Sequence, residues 1–433
     1  MWRRQAIRKR LALAEGSPPP IAPPDTFDDG EIAAMLRELG LAMIEMMHPT
    51  HLVRGRLRRV IARYTTKDVR IVVLPTVMLI QLGNESYEID VTRPAGFRLD
   101  LAGRIDEITR LATLGAIAPA DAVAALAQAR AMPPRFNPLL TVGGYVITTL
   151  GFGMIINPTW ASLWGHAFLG AVVGVILLAA RFIPALNAIA PTLAAMSVTV
   201  LATWFVADAA NDGLMRVIAP SLVAMLPGLA LTVGAMELAG SEIIAGASRL
   251  IYGVVQLMLL VFGVALGAAL AGNVAPQQPS PQIGAWGFYV AILVIGLGLY
   301  VYLSAPRGSL VWLTLAVAAA LIGQKLGSLF LTPAHAGALG AALVLPVALI
   351  GGRLKHAPPA LVMVLAAFWS LVPGALSFET LSQAATGGPA DLRTLISAVA
   401  TVFSIALGTL ISWSVVNSLV AGRRGLGSAS RTL

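Results

Sequence analysis

From Pro138 onward the chain is a succession of apolar stretches of about 20 residues with almost no charge between them, and this limits what it can fold into. In hydrocarbon every backbone polar group must be satisfied within the protein, so such a chain is a bundle of membrane-spanning helices. Charge separates this region from what precedes it: 19 of the 30 Lys and Arg and 15 of the 21 Asp and Glu fall in residues 1–137. With 57% of residues hydrophobic and 12% charged, a water-soluble protein is excluded for the chain as a whole. The net charge of +9 calls for no nucleic-acid partner, because much of it sits where a positive-inside bias would put it. Cysteine is absent, so disulfides and thiolate metal sites are excluded as well.

Ten spans are expected, at roughly 138–157, 160–180, 183–206, 217–238, 247–272, 284–304, 308–324, 332–351, 360–384 and 393–420. Shifting the first three by 146 positions lays them on the sixth to eighth. VAMLPGLALTVGAMEL (223–238) and WSLVPGALSFETLSQA (369–384) overlay at the same shift, so Pro227-Gly228 corresponds to Pro373-Gly374. The spacing predicts two five-helix copies, residues 138–272 and 284–420, joined by a linker at 273–283. Five is odd, so the second copy enters the bilayer from the opposite face, giving an inverted repeat. Loop charge sets the orientation. Arg181, Arg249, Arg307, Arg353, Lys355, Arg423, Arg424 and Arg431 fall on the inner side, against Arg216, Lys325 and Arg393 outside. Both termini, including a basic tail at 421–433, are therefore expected in the cytoplasm of a multi-pass inner-membrane protein.

Ahead of the spans, MWRRQAIRKRLALAEGSPPP is basic but has no apolar core of secretory length, so residues 1–28 read as a disordered basic, Pro-rich tail rather than a signal peptide. Residues 29–137 are expected to form a small α+β cytoplasmic domain. A helix from Asp29 to Met47 buries Ile32, Met35, Leu36, Leu39, Ala42 and Met43, and Asp28 or Asp29 caps it. A second helix covers Thr50 to Tyr64, strands follow over 69–92, and two helices lie near 100–115 and 119–131. HPTH at 48–51 reads as a turn and helix start rather than a metal site, and Arg54, Arg58, Arg59 and Arg63 as a solvated or lipid-facing stripe.

Pro-Gly inside a span frees backbone groups that survive only where protein packs them or a wet cavity meets them. Matching breaks in two halves point to a transporter's central site. Candidate substrate-binding residues are Pro227, Gly228, Thr232, Glu237, Pro373, Gly374, Ser377, Glu379 and Gln383. Glu237 and Glu379 fit either an intramembrane carboxylate that carries charge or proton, or an interfacial one. Thr232 and Ser377 fit substrate contacts or interhelical hydrogen bonds. His335 and Asn187 are rough counterparts, and His335 reads as a packed or interfacial histidine or a proton relay. A membrane-embedded enzyme would need a nucleophile-base or metal constellation, for which His166, His335, His356 and six acids in the membrane half give little basis. A sensor or scaffold is the third class, but it would not require paired breaks.

These residues bring a family into view. Pro220 to Gly228, the following ELAGSEIIAGASRL and the second LVPG resemble the threonine/serine exporter family over about residues 29–420. Pro227, Gly228, Glu237, Gly246, Arg249, Pro373 and Gly374 match its pattern, while Ala366 replaces the counterpart of Pro220 and HPTHLVRGRLRRV replaces a small-residue glycine turn. The resemblance implies export of small hydroxy amino acids with protons as coupling ion, without cofactor or metal. Dicarboxylate export is the alternative, and a homo-oligomer stays open.

Overall fold

The computed structural model describes residues 20–83, 85–90, 97–183, 185–206, 213–272, 280–354, 357–371, 375–386 and 392–429. Helix α1 (Asp29–Glu45) starts where the Asp28 carboxylate accepts the Gly30 amide at 2.9 Å, and Asp29 and Glu31 place further negative charge in its first turn. Its buried stripe is the expected one, Ile32, Met35, Leu36, Leu39 and Met43. Helix α2 (Thr50–Tyr64) buries Val53, Leu57, Val60, Ile61 and Tyr64. Strands β1 (Val69–Val73), β2 (Val77–Leu82) and β3 (Glu85–Asp90) form an antiparallel meander in that order, with Ile71 opposite Ile80 and Ile80 opposite Tyr87. Helices α3 (Leu99–Leu114) and α4 (Pro119–Ala131) complete the N-terminal unit. Ion pairs tie its helices together: Arg130 of α4 meets Glu38 at 2.6 Å and Glu45 at 3.2 Å, and Arg56 of α2 meets Asp106 of α3 at 2.7 Å.

The remaining helices are predominantly apolar. They are α5 (Pro138–Ile156), α6 (Trp160–Phe182), α7 (Leu186–Phe205), the short α8 (Leu214–Ile218), α9 (Gly228–Ala239), α10 (Ile243–Ala271), α11 (Gly287–Tyr302), α12 (Leu310–Gly327), α13 (Pro333–Gly351), α14 (Ala360–Leu371), α15 (Ala375–Ala385) and α16 (Leu392–Ala429). Among the described residues seven are long and apolar enough to cross a membrane: α5, α6, α7, α10, α12, α13 and residues 396–416 of α16. Three shorter apolar helices, α9, α11 and α14, fall in the expected fourth, sixth and ninth segments. The fourth is short because it is broken: α8, a 3-10 turn (Ala219–Leu222) and α9 replace one continuous helix over 217–238. The ninth is split into α14 and α15, with Pro373 and Gly374 outside the described residues.

Small residues let these helices approach closely. A methyl group on Gly151 of α5 would lie 2.6 Å from the Ile295 side chain of α11, and one on Gly267 of α10 would lie 2.7 Å from Thr199 of α7. Helix α13 packs on α16 as α7 packs on α10, and α9 meets α16 as α15 meets α10. The N-terminal unit is seated on this bundle. Its apolar core continues through Leu299 of α11, Val317 of α12 and Leu365 of α14, and the Leu99 amide donates to the Leu303 carbonyl at 2.8 Å.

Candidate functional site

The break in the fourth segment is built by its own sequence. Pro227 cannot donate a backbone hydrogen bond, and with φ −77° and ψ 31° it stands as the residue before α9. The groups freed upstream find partners: the Tyr145 hydroxyl of α5 donates to the Ser221 carbonyl at 2.5 Å, and the Ser221 hydroxyl donates to the Ile218 carbonyl at 2.7 Å. No side chain among the described residues caps α9, so its first amides, at Gly228 and after, point out of the helix with its positive dipole end. They open on a cavity of about 520 Å³ lined by the 223–230 stretch and by Arg181, Asn187, Gln256, Tyr302, Trp369 and Glu45. Tyr302 and Trp369 meet edge-on, 6.0 Å between ring centroids, and form an aromatic wall. Among the described residues Glu45 is the only acid in this lining, and it is already paired with Arg130. Burial raises its carboxyl above the ordinary value, and Arg130 opposes that rise.

Glu237 lies elsewhere. Fully buried in the last turn of α9, it accepts the backbone amide of Thr50 at 2.8 Å through Oε1, while Oε2 is 3.0 Å from Nε of Arg249 on α10. Arg249 donates from Nη2 to the His48 carbonyl at 3.2 Å. A second pair, Arg54 with Glu242, stands beside it. The HPTH turn and the first turn of α2 are thereby clamped to the α9–α10 corner, with the carboxylate at the positive end of α2. Arg54 thus departs from the expected solvated or lipid-facing stripe because Glu242 neutralises it, whereas Arg58, Arg59 and Arg63 are exposed.

Both histidines of the turn are held below their ordinary value. Burial, followed by the field of Arg56, holds His48 down to about 4, and its Nδ1 lies 2.9 Å from the Met43 carbonyl. Burial lowers His51 too, with Glu237 and Glu242 opposing.

Thr232 is buried with no hydrogen-bond partner for its hydroxyl among the described residues, and it lines a second cavity of about 340 Å³ between the 46–52 turn and helices α9, α13, α14 and α16. Glu379 is half-buried in α15, with Arg216 as the cation that acts on it, and Gln383 is exposed. Ser377 belongs to α15, but its side chain, like Pro373 and Gly374, lies outside the described residues. Asn187 lines the first cavity, whereas its rough counterpart His335 is exposed and lies 2.7 Å from the Thr332 hydroxyl through Nδ1. The structure therefore brings Pro227, Gly228 and Asn187 to one cavity and Thr232 to another, and places Glu237 at neither. Sequence reasoning missed Arg181, Gln256 and Glu45 as cavity residues and Tyr145 as the partner of the break. The signal for Arg181 was its place at the end of α6, read only as loop charge.

A family model described as "Putative threonine/serine exporter" matches residues 34–271. Similar stretches occur in proteins named pheromone-regulated membrane protein 10. The one from Kluyveromyces lactis is 36% identical over 86 residues, 18% of this chain and 9% of the relative. That from Saccharomyces cerevisiae is 37% identical over 67 residues, 14% and 18% of the two chains, and that from Yarrowia lipolytica 39% over 66 residues, 14% and 5%. Each match spans less than a fifth of the relative's length. No solved structure matches. The family model takes in the N-terminal unit from residue 34 on, the break at Pro227, Glu237 and Arg249, more than half of the chain, which belongs to the threonine/serine exporter family.

Proposed function

We propose that the protein is a secondary transporter that exports threonine, serine or a similar small hydroxy amino acid, driven by the proton gradient and held at the Pro227-Gly228 break. One observation carries this reading: the uncapped amides of α9 and the Arg181 side chain line the same cavity of about 520 Å³. A substrate carboxylate fits that positive end, and Asn187, Gln256 and Tyr302 offer polar groups for an ammonium or hydroxyl. The cavity lies within the ~300–1,000 Å³ range of ligand pockets.

The wider arrangement belongs to the same proposal: ten spans as two inverted halves, with the N-terminal unit as an α+β domain and both termini cytoplasmic. The shift of 146 positions and the like packing of α7 on α10 and α13 on α16 support it. Pro373, Gly374, Ser377, Glu379 and Gln383 would form the counterpart of the first break, and Glu379, with Arg216 near it, would carry the coupled proton. Counterflow in proteoliposomes tests the reading: labelled threonine or serine should exchange against unlabelled substrate inside. No exchange of either, with or without a pH gradient, would sink it.

A second reading, dicarboxylate export, has an observation of its own. Glu45 is engaged by Arg130, so Arg181 and the α9 end leave the cavity with a positive surplus. Labelled succinate in the same counterflow assay decides between them.

A further inference from the structure

A cleft of about 900 Å³ lies on the seam between α3, the turn that follows α11 and the turn that follows α13. Its charges do not cancel. Each acid in its lining already has a cation: Asp100 is 2.7 Å from Arg98, Asp106 is 2.7 Å from Arg56, and Glu107 is 2.7 Å from Arg110. Arg135 also lines the cleft, but it donates to neutral groups, the Tyr300 hydroxyl at 2.6 Å and the Ala305 carbonyl at 2.8 Å. Arg104, Arg307 and Arg353 complete the lining without an ion pair or side-chain hydrogen bond among the described residues, and the one acid whose charge Arg104 feels, Glu107, is already held by Arg110. Four guanidinium charges thus remain uncompensated around one concavity, and three of them come from chain segments far apart in sequence.

We propose that this cleft binds a phosphate-bearing anion. Guanidinium forks arriving from separate sides can each give paired hydrogen bonds to a tetrahedral group carrying up to two charges, which a single carboxylate would not use fully. The cleft is distinct from the cavity at the Pro227 break, with which it shares no lining residue, and the proposal does not depend on the transported substrate. Arg353 stands two residues past the end of α13 and Arg307 lies in the turn between α11 and α12, both at the ends of apolar helices, where lipid phosphates lie, while α3 belongs to the N-terminal unit. The phosphate could therefore belong to a lipid headgroup or to a soluble ligand, and a bound anion would bridge the unit to the bundle in either case.

The test uses the full chain and two probes. In one arm, native mass spectrometry follows retention of phosphatidylglycerol against phosphatidylcholine after release from mixed nanodiscs. In the other, calorimetry follows inorganic pyrophosphate titrated into protein in neutral detergent. The variant R104Q/R307Q/R353Q is predicted to weaken the bound probe by about tenfold or more, the loss expected from a few charge-assisted hydrogen bonds. A control variant, R58Q/R59Q/R63Q, removes three exposed arginines of α2 and should change affinity by less than about twofold. Selective retention of phosphatidylglycerol assigns the site to a headgroup, and saturable pyrophosphate binding assigns it to a soluble anion. Saturable binding of neither probe, or equal loss in the two triple variants, overturns the proposal. Should the triple variant lose its melting transition, the three single variants carry the same comparison.

Discussion

Glu237 and Thr50 are 187 positions apart, yet the carboxylate at the end of α9 accepts the first amide of α2 at 2.8 Å while facing Arg249 at 3.0 Å. The acid that the sequence offers as either an intramembrane or an interfacial carboxylate thus joins the N-terminal unit to the bundle. Glu237→Gln keeps an acceptor for Thr50 but leaves the buried Arg249 without its counter-charge. Breaking a buried pair from one side costs about 3–5 kcal/mol, so a lower melting temperature is expected, partly restored by Arg249→Met in the same background. Thermal unfolding of the two single variants and the double variant checks this, and additive losses would show that the pair is not coupled.

Glu379 has a different expectation. With Glu237 committed to the clamp, Glu379→Gln should flatten the pH dependence of counterflow, while Glu237→Gln, corrected for folded protein, should keep it. The reverse result would return the coupling role to Glu237.

Tyr145 meets the carbonyl that the break leaves free, and both groups are buried. Tyr145→Phe removes the donor without changing the packing, and an unsatisfied buried carbonyl costs about 1–3 kcal/mol. The melting temperature should fall by several degrees, and transport should fall with it if the break holds the substrate. Unchanged stability would mean that water takes the hydroxyl's place.

Arg181 lines the cavity together with the free end of α9. Removing one charge-assisted hydrogen bond to a carboxylate should raise KM about tenfold in Arg181→Gln. Labelled-threonine transport at several concentrations separates this from a change in turnover. An unaltered KM would move the substrate away from this cavity.

Much of the N-terminal unit was legible in the sequence because its signals are local. Asp28 caps α1, the apolar stripe from Ile32 to Met43 has helical spacing, and the strands of the 69–92 meander appear as β1 to β3. The interruption at Pro227 was legible for the same reason, since the missing donor belongs to one residue. Contacts across the chain were not. Glu237 and Arg249 both stand in the motif that resembles the family, but nothing periodic says that Thr50 and His48 meet them. Arg181 read as an inner-loop charge because hydropathy locates the end of a helix and says nothing of which cavity that end borders.

His48 makes the clamp sensitive to acid. Buried beside Arg56 and Arg249, with Asp106 and the Met43 carbonyl opposing them, it is held down to about 4 from its ordinary 6.5. The folded state therefore refuses a proton that the unfolded chain accepts. This leaves stability unaffected above pH 6.5 and erodes it as pH falls from 6.5 towards 4, by roughly 3 kcal/mol across the window. Glu45 works in the other direction: its raised carboxyl takes up a proton in the folded state first, which offsets part of the loss near the lower end. Melting temperatures between pH 7.5 and 4.5 should therefore fall steadily in the unaltered chain, and fall less in His48→Gln, which has no ring to protonate. Should the two slopes coincide, the acid sensitivity of the clamp would lie in other groups and His48 would be only a packed ring.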